Sequence, residues 1–510
     1  MFTLIFEYVV VGLYLLALVV VVLYSFGQLH LIYTFLHHRS TRPKRPPLQG
    51  DEDLPFVTIQ LPIFNEMYVV ERLLEATAAQ DYPLERFEIQ LLDDSTDETV
   101  DIAAEKIAEL QARGVQVTHV RRPDRVGFKA GALAYGLEFA KGEFVAIFDA
   151  DFLPNPDFLR GTLSYFDTDE VGLVQARWEH INQHYSLFTE VQAFHLDAHF
   201  TLEQYGRYRG GYCMNFNGTA GVWRKSCIED AGGWEADTLT EDLDLSYRAQ
   251  LKGWRFVYVD EVGAPAELPA ELSAIKSQQY RWMKGGAEVA AKMLGQVWRS
   301  PISFAKKIHA SLHLLSSSIF IMVLLLGAMS VPLLYIKHAI MDGKMGILVY
   351  PISLLISSFF ILIGFYVVTM WHREKDFTSM LKRLVFYYVP FLSFSMGLSL
   401  HNSIAVIEGY MGKKTPFIRT PKFNITKRSD SWNKAKYQKR KLGRGVYGEI
   451  FLFFYFCFGI GMSFYFDDMA ITPFFLMQAF GFGSVGLMSI KHSLGIELPL
   501  LRRRRLATMN

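Results

Sequence analysis

Three places along the chain gather carboxylates tightly enough to do chemistry. "LLDDS" carries Asp93 and Asp94, "IFDAD" carries Asp149 and Asp151, and "TED" carries Glu241 and Asp242. Like charges repel, and removing them from water is costly. A hard divalent cation resolves that cost, because Mg²⁺ takes oxygen ligands, usually one or two carboxylates together with substrate phosphates. Asp149 and Asp151 flank one small residue after an apolar run, so both can turn toward one ion. In "TEDLDLSYRAQLKGW", Thr240 followed by acids reads as a capped helix start. Capping explains one or two acids but not Glu241 and Asp242 plus Asp244. A general base at a helix start is the other reading, and the residues alone leave both open.

The elements that must position these groups alternate in type. "FVTIQLPIFNE" is a β-rich run followed by the helical pattern "MYVVERLLEATAAQ". "FEIQLLDDSTDE" repeats the scheme, "VQVTHVRR" is a third strand, "KAGALAYGLEFAKG" a helix and "EFVAIFDADF" a fourth strand. Strand–helix alternation predicts an open, mostly parallel sheet covered on both faces. Ligands of such sheets bind beyond the carboxyl ends of the strands, where these acids fall. Lys129 in "GFKAGAL" is the best-placed cation for a phosphate. No GxxxxGK[ST] loop occurs, and the first strand ends in "PIFNE" without a glycine loop, which argues against a P-loop ATPase and a dehydrogenase. "GFGSVG" at 481–486 lies in an apolar run, where its glycines suit close helix packing.

Composition sets further bounds. Over 510 residues, 52 Lys+Arg against 51 Asp+Glu give no global basic character, so no nucleic-acid partner is expected. Cys213, Cys227 and Cys457 are too far apart for a zinc site or a disulfide framework. "LIFEYVVVGLYLLALVVVVLYSFG" is long enough to cross a bilayer and is expected to be a retained anchor. The basic stretch "HHRSTRPKRP" after it is expected on the cytosolic side.

Apolar runs return near 310–336, 346–370, 384–407, 450–465 and 471–490. Residues 411–447 hold twelve Lys/Arg against one Asp, and the tail carries "LRRRR". These basic segments share the cytosolic side only if one run does not cross. The run at 384–407, with Pro390, His401 and Asn402, is the one expected to lie as an interfacial helix. A re-entrant hairpin there gives the same sidedness. Five spans follow, in a multi-pass protein of the bacterial inner or plasma membrane with a cytosolic catalytic domain. The divisions are 1–50 (anchor and basic linker), 51–290 (soluble α/β domain) and 291–510 (interfacial helices, C-terminal bundle and basic loop).

In this order, "LDDSTDET", "FKAGAL", "AIFDADFLPNPDFL", "VQARW", "FNGTAGVWR", "TEDLDL" and "QQYRW" resemble the processive family 2 glycosyltransferases. The nearest resemblance is to cellulose synthases and plant cellulose synthase-like A and C proteins, and it is dense over about 55–290. It implies a GT-A type α/β domain inserted between transmembrane α-helices. It further implies inverting transfer of hexosyl units from UDP-glucose or GDP-mannose to a growing β-linked glycan, which is then translocated. Making a glycolipid by single additions is the alternative.

Carried over, the resemblance makes Asp242 the base and assigns the nucleotide sugar to Asp93, Asp94, Lys129, Asp149, Gln278 and Arg281. Asp149 with Asp151 would hold Mg²⁺ or Mn²⁺. Phe216, Asn217, Gly218, Thr219, Glu241 and Trp282 would meet the acceptor. "FIRTPK" resembles a gating loop, through Phe417, Thr420 and Lys422, although Arg419 stands where valine is usual. No cyclic-dinucleotide-binding domain is expected after it. The implied partners are the nucleotide-sugar donor, the growing glycan, the lipid bilayer and accessory export subunits.

Overall fold

The computed structural model describes residues 2–39, 50–340, 346–374, 376–415, 420–427, 430, 443 and 445–493. Seven strands form one sheet: β1 (Val57–Ile63), β2 (Phe87–Asp93), β3 (Val117–Val120), β4 (Phe144–Ile147), β5 (Val171–His180), β6 (Gly221–Arg224) and β7 (Arg255–Ala266). Their order is β3-β2-β1-β4-β6-β5-β7. The expectation of an open, mostly parallel GT-A type sheet is met: β1 pairs in parallel with β2 and β4, β2 with β3, and β5 with β7. Every residue of β2 is buried, because a parallel sheet is covered on both faces. The covering helices include α2 (Val70–Ala78), α3 (Thr99–Ala112) and α4 (Phe128–Phe139). α2 buries Val70, Leu73, Leu74, Thr77 and Ala78, the spacing of one helical stripe.

Two consequences of this topology make the site. The chain leaves β1 toward β2 and β3, then returns to lay β4 on the other side of β1. That reversal opens a crevice at the carboxyl ends of β1 and β4, where open α/β sheets bind ligands. The antiparallel β6 was not foreseen. It pairs antiparallel with both β4 and β5, so it begins at the edge where they end. The loop 216–219 before it is thereby delivered to that same edge.

The flanking helices are apolar. α1 (Phe2–His38) is a single 37-residue helix, longer than the expected anchor because it continues through the first residues of the basic stretch. Among the described residues, four other helices are long and apolar enough to cross a membrane, over Ser316–His338, Ile356–Arg373, Gly445–Tyr465 and Thr472–Lys491. The protein is thus a multi-pass membrane protein. The run at 384–407 is divided between two helices, Phe377–Gly397 and Ser399–Tyr410, which meet at 49° and counted together would make a sixth span. Close packing at "GFGSVG" is realised, since a Cβ on Gly481 would stand 1.9 Å from the Ser393 carbonyl oxygen of the neighbouring helix.

Candidate active site

A cavity of about 200 Å³ opens at the crevice. Its walls include Asp94, Lys129, Asp149, Asp151, Asn217, Gly218, Glu241, Asp242, Gln278, Arg281, Trp282, Thr420 and Lys422. Residues separated by more than three hundred positions therefore share one cleft. Phe417 and Arg419 lie outside the described residues.

Two lysines hold the aspartates that end β4. The Lys129 ammonium lies 2.5 Å from Asp149 Oδ1 and donates to the Gly218 carbonyl oxygen at 2.8 Å. The Lys422 ammonium lies 2.5 Å from Asp151 Oδ2 and donates to the Glu267 carbonyl oxygen at 2.8 Å. Burial works to discharge Lys129, but Asp149, Glu241 and Asp242 outweigh it and raise its pKa. Paired oxygen donors at a strand end, each balanced by an ammonium, fit a hard divalent cation. A second acidic group, Glu235, Asp237 and Asp244, is already served by Lys292 at 2.6–2.9 Å.

Three expected contacts lie behind the cleft wall rather than on it. Asp93 is buried; it accepts from the Ser95 backbone N–H at 2.8 Å and pairs with His119 Nε2 at 2.8 Å. It thus fixes the turn that presents Asp94. Thr219 is buried, and its hydroxyl oxygen accepts from the Asp149 N–H at 2.9 Å. Phe216 is buried edge-on against Trp223, in the core beneath the loop.

The helix Glu241–Leu251 begins at the "TED" segment, but Thr240 makes no capping bond. Its hydroxyl is buried without a partner. The capping reading therefore places the helix start but not the chemistry of the threonine. Burial, then the Glu241 charge, pushes the Asp242 carboxyl up to about 7. Gly218 has φ +80°, and a Cβ there would stand 3.0 Å from Asp242 Oδ2. Only glycine lets the loop pass so close to that carboxylate in this conformation.

"QQYRW" lies on the 28-residue helix Leu272–Arg299. Gln278, Arg281 and Trp282 are spaced i, i+3 and i+4, so they share a face, and all three reach the cleft. Arg281 donates to Thr420 Oγ1 at 3.1 Å, tying the segment that begins at Thr420 to this helix.

The structure adds residues that sequence reasoning did not single out. Arg122 forks onto Asp94 at 2.6–2.7 Å. The Arg125 guanidinium sits 3.3 Å from the centroid of the Phe64 ring, and both residues line the cleft. "RRPDR" after the third strand was a readable signal, a cationic run at a strand's carboxyl end. His180 and Glu267 also line the cleft, and nothing local in the sequence marks them.

Trp282 and Asp242 also border a larger cavity of about 860 Å³. It extends among the apolar helices past Phe320, Leu326 and Phe359 to Lys337 and Asp468. Trp178, Asn217 and Thr240 are further walls common to both cavities.

Residues 55–285 match the family described as Glycosyltransferase like family 2. Glucomannan 4-beta-mannosyltransferase 1 of Oryza sativa subsp. japonica is 43% identical over 278 residues, covering 52% of this chain and 52% of that protein. Glucomannan 4-beta-mannosyltransferase 2 of Arabidopsis thaliana is 40% identical over 290 residues, 55% and 54% respectively. The chain spans about half the length of these curated relatives. Among solved structures, the mannosyltransferase PcManGT from Pyrobaculum calidifontis, in complex with GDP-Man and Mn²⁺, is similar at 20% identity and a TM-score of 0.49, over 74% of this chain and 99% of that one. Residues 55–285 of this chain are a domain of glycosyltransferase family 2.

Proposed function

We propose that the protein is an inverting hexosyltransferase that lengthens a β-linked glycan and passes it into its own membrane cavity, with a mannosyl nucleotide as the first donor to test. The observation that carries this reading is the sharing of walls. Asp242 and Trp282 border both the polar cleft and the apolar-helix cavity beyond it, so a product made at one is already at the mouth of the other. The names of the curated relatives, which are mannosyltransferases, favour GDP-mannose over UDP-glucose.

In this reading the donor diphosphate lies between Lys129, Arg281 and Gln278, with its base toward Asp94 and the Arg125–Phe64 stack. Asp149 and Asp151 would hold a divalent cation, Mg²⁺ or Mn²⁺, which would neutralise charge on the departing diphosphate. The acceptor's terminal sugar lies against Trp282. Asp242 takes the proton from its hydroxyl as that oxygen attacks the anomeric carbon from the face opposite the diphosphate. One displacement inverts the anomeric centre, so an α-linked donor gives a β-linked product. Arg281 stabilises the negative charge on the leaving group, the largest electrostatic demand of the step. The catalytic domain faces the cytosol, where nucleotide sugars are made.

The test is a donor screen on purified full-length protein with Mn²⁺ or Mg²⁺. Radiolabel from GDP-mannose in solvent-insoluble β-linked polymer is the expected result. Label confined to an organic-extractable lipid would replace polymer synthesis with glycolipid synthesis. No transfer from any nucleotide sugar would end the reading.

A further inference from the structure

A polar relay outside every segment singled out above runs to the junction of the two cavities. The chain between Leu187–Ala198 and Tyr205–Arg209 forms a π-helical turn, His199–Gln204, a distortion that recurs at functional sites. The turn brings His199 Nδ1 to 2.8 Å from Glu203 Oε2 and His199 Nε2 to 3.2 Å from Asn217 Oδ1. Arg207 approaches Glu203 from the far side at 3.6 Å. Burial opposes ionisation of Glu203, yet the Arg207 guanidinium and the His199 ring outweigh it and hold its carboxyl below the usual range. The relay is therefore anchored at one end by a fixed negative charge.

Its other end fixes an amide. Asn217 Oδ1 accepts from His199 and also from Asn215 Nδ2 at 2.9 Å. Those two contacts hold the Asn217 oxygen toward His199 and Asn215. The amide's NH₂ group is turned away from both, and Asn217 Nδ2 has no hydrogen-bond partner. The same holds for Thr240 Oγ1, Asn215 Oδ1 and Gln28 Oε1. All four residues border the larger cavity, and Gln28 is only 6% exposed. Buried polar atoms without partners are costly. Donors and acceptors interspersed around a mouth beside Asp242 match a polyhydroxylated chain, each hydroxyl of which both gives and takes a hydrogen bond.

We propose that His199 and Glu203 are positioning residues for the acceptor: they lock the Asn217 amide so that its NH₂ group, with Thr240, holds the terminal sugar in line with Asp242. This rests on the glycan-transfer reading above, but it makes a separate claim. The relay sets acceptor affinity and register and leaves the donor site untouched.

The experiment measures binding as well as turnover. The full-length protein in detergent is titrated with β-1,4-mannohexaose and with GDP, both followed by tryptophan fluorescence. His199→Leu removes both relay bonds, whereas His199→Gln keeps a side-chain N–H for Asn217 Oδ1. The expected result is hexaose binding weakened about tenfold in His199→Leu, the scale of one or two polar contacts. His199→Gln should recover most of it, with GDP affinity unchanged in both. Asn217→Asp, which replaces the donating NH₂ by an oxygen, should match His199→Leu and guards against a folding defect in that variant. Under turnover, the acceptor KM should rise while kcat at saturating acceptor holds.

Unchanged hexaose affinity in His199→Leu and Asn217→Asp would overturn the proposal. So would an equal loss of GDP and hexaose binding, or wild-type protein that binds no hexaose. Failure of the broader reading looks different: wild type binds the hexaose and transfers no sugar to it.

Discussion

Lys422 and Asp151, 271 positions apart in sequence, meet at 2.5 Å across the mouth of the cleft. The lysine stands against one of the two carboxylates that suit a divalent cation, so cation and ammonium compete for the same oxygen. Removing the lysine should therefore tighten cation binding in the absence of donor. In Lys422→Met, Mn²⁺ affinity followed by electron paramagnetic resonance should rise severalfold. Equal affinity in wild type and variant would show that Lys422 does not guard Asp151. Chelation should abolish transfer in both proteins, and Mn²⁺ or Mg²⁺ should restore it.

In the proposed transfer Asp242 takes the base role, and its environment sets a pH dependence. With its carboxyl at about 7, the proton-accepting form is depleted as pH falls. Transfer measured as kcat/KM should therefore drop on the acid side, approaching tenfold per unit below the midpoint. A cation on Asp149 and Asp151 would move that midpoint down, never up. Stability runs the other way. The group binds its proton more tightly folded than at its ordinary value of 3.8, so its contribution is full below about 4 and is lost as pH rises toward 7. Asp242→Asn should lose about 10²–10⁴-fold in rate, keep GDP binding, and melt a few degrees higher than wild type at pH 8. Near-normal turnover in that variant would remove Asp242 from the mechanism.

Much of this site was legible because its chemistry sits at ends of local patterns. Asp94, Asp149 and Asp151 follow apolar strand runs, Asp242 opens a helix, and Gln278, Arg281 and Trp282 share a helical face. What stayed hidden depends on depth or on long-range pairing. Asp93 and Asp94 are neighbours of one type, and only the fold turns one inward to His119 and the other outward to Arg122. Phe216 and Thr219 bracket a loop whose middle alone reaches the cleft. β6 is too short to announce its direction. The π-helical turn at His199–Gln204 has no sequence signature, since its extra residue per turn is set by packing. The bend between Phe377–Gly397 and Ser399–Tyr410 was likewise not marked, for Pro390 lies within the first helix rather than at the break.

Gly218 tests how tightly the loop must approach the base. Gly218→Ala forces an L-residue into φ +80° and sets a methyl 3.0 Å from Asp242 Oδ2. The left-handed conformation alone costs about 1–2 kcal/mol, so the variant should melt a few degrees lower. It should also lose turnover by more than its stability explains, because the loop can relax only by moving away from Asp242 and Lys129. Full activity in a folded Gly218→Ala would mean that this approach is not needed for transfer.

Asp197 tests whether the catalytic domain is held by charge to the membrane helices. It is buried, with Arg373 at 2.9 Å at the end of one apolar helix, Arg383 at 3.8 Å on the next, and His180 of the cleft wall at 3.4 Å. Burial raises its carboxyl, but His180 and the two arginines outweigh that and hold it below its ordinary value of 3.8. The stabilisation is therefore present above about pH 4 and fades as pH falls through the lowered value. Breaking a fully buried pair costs about 3–5 kcal/mol; both arginines are partly solvated, so about half of that is expected from Asp197→Asn. The variant should melt several degrees below wild type at pH 7, and the gap should narrow below pH 4. Because His180 links the same aspartate to the cleft wall, GDP binding, if the donor lies there as proposed, should weaken in parallel with the melting temperature. A variant that melts like wild type at pH 7 would show that apolar packing alone seats the domain on its helices.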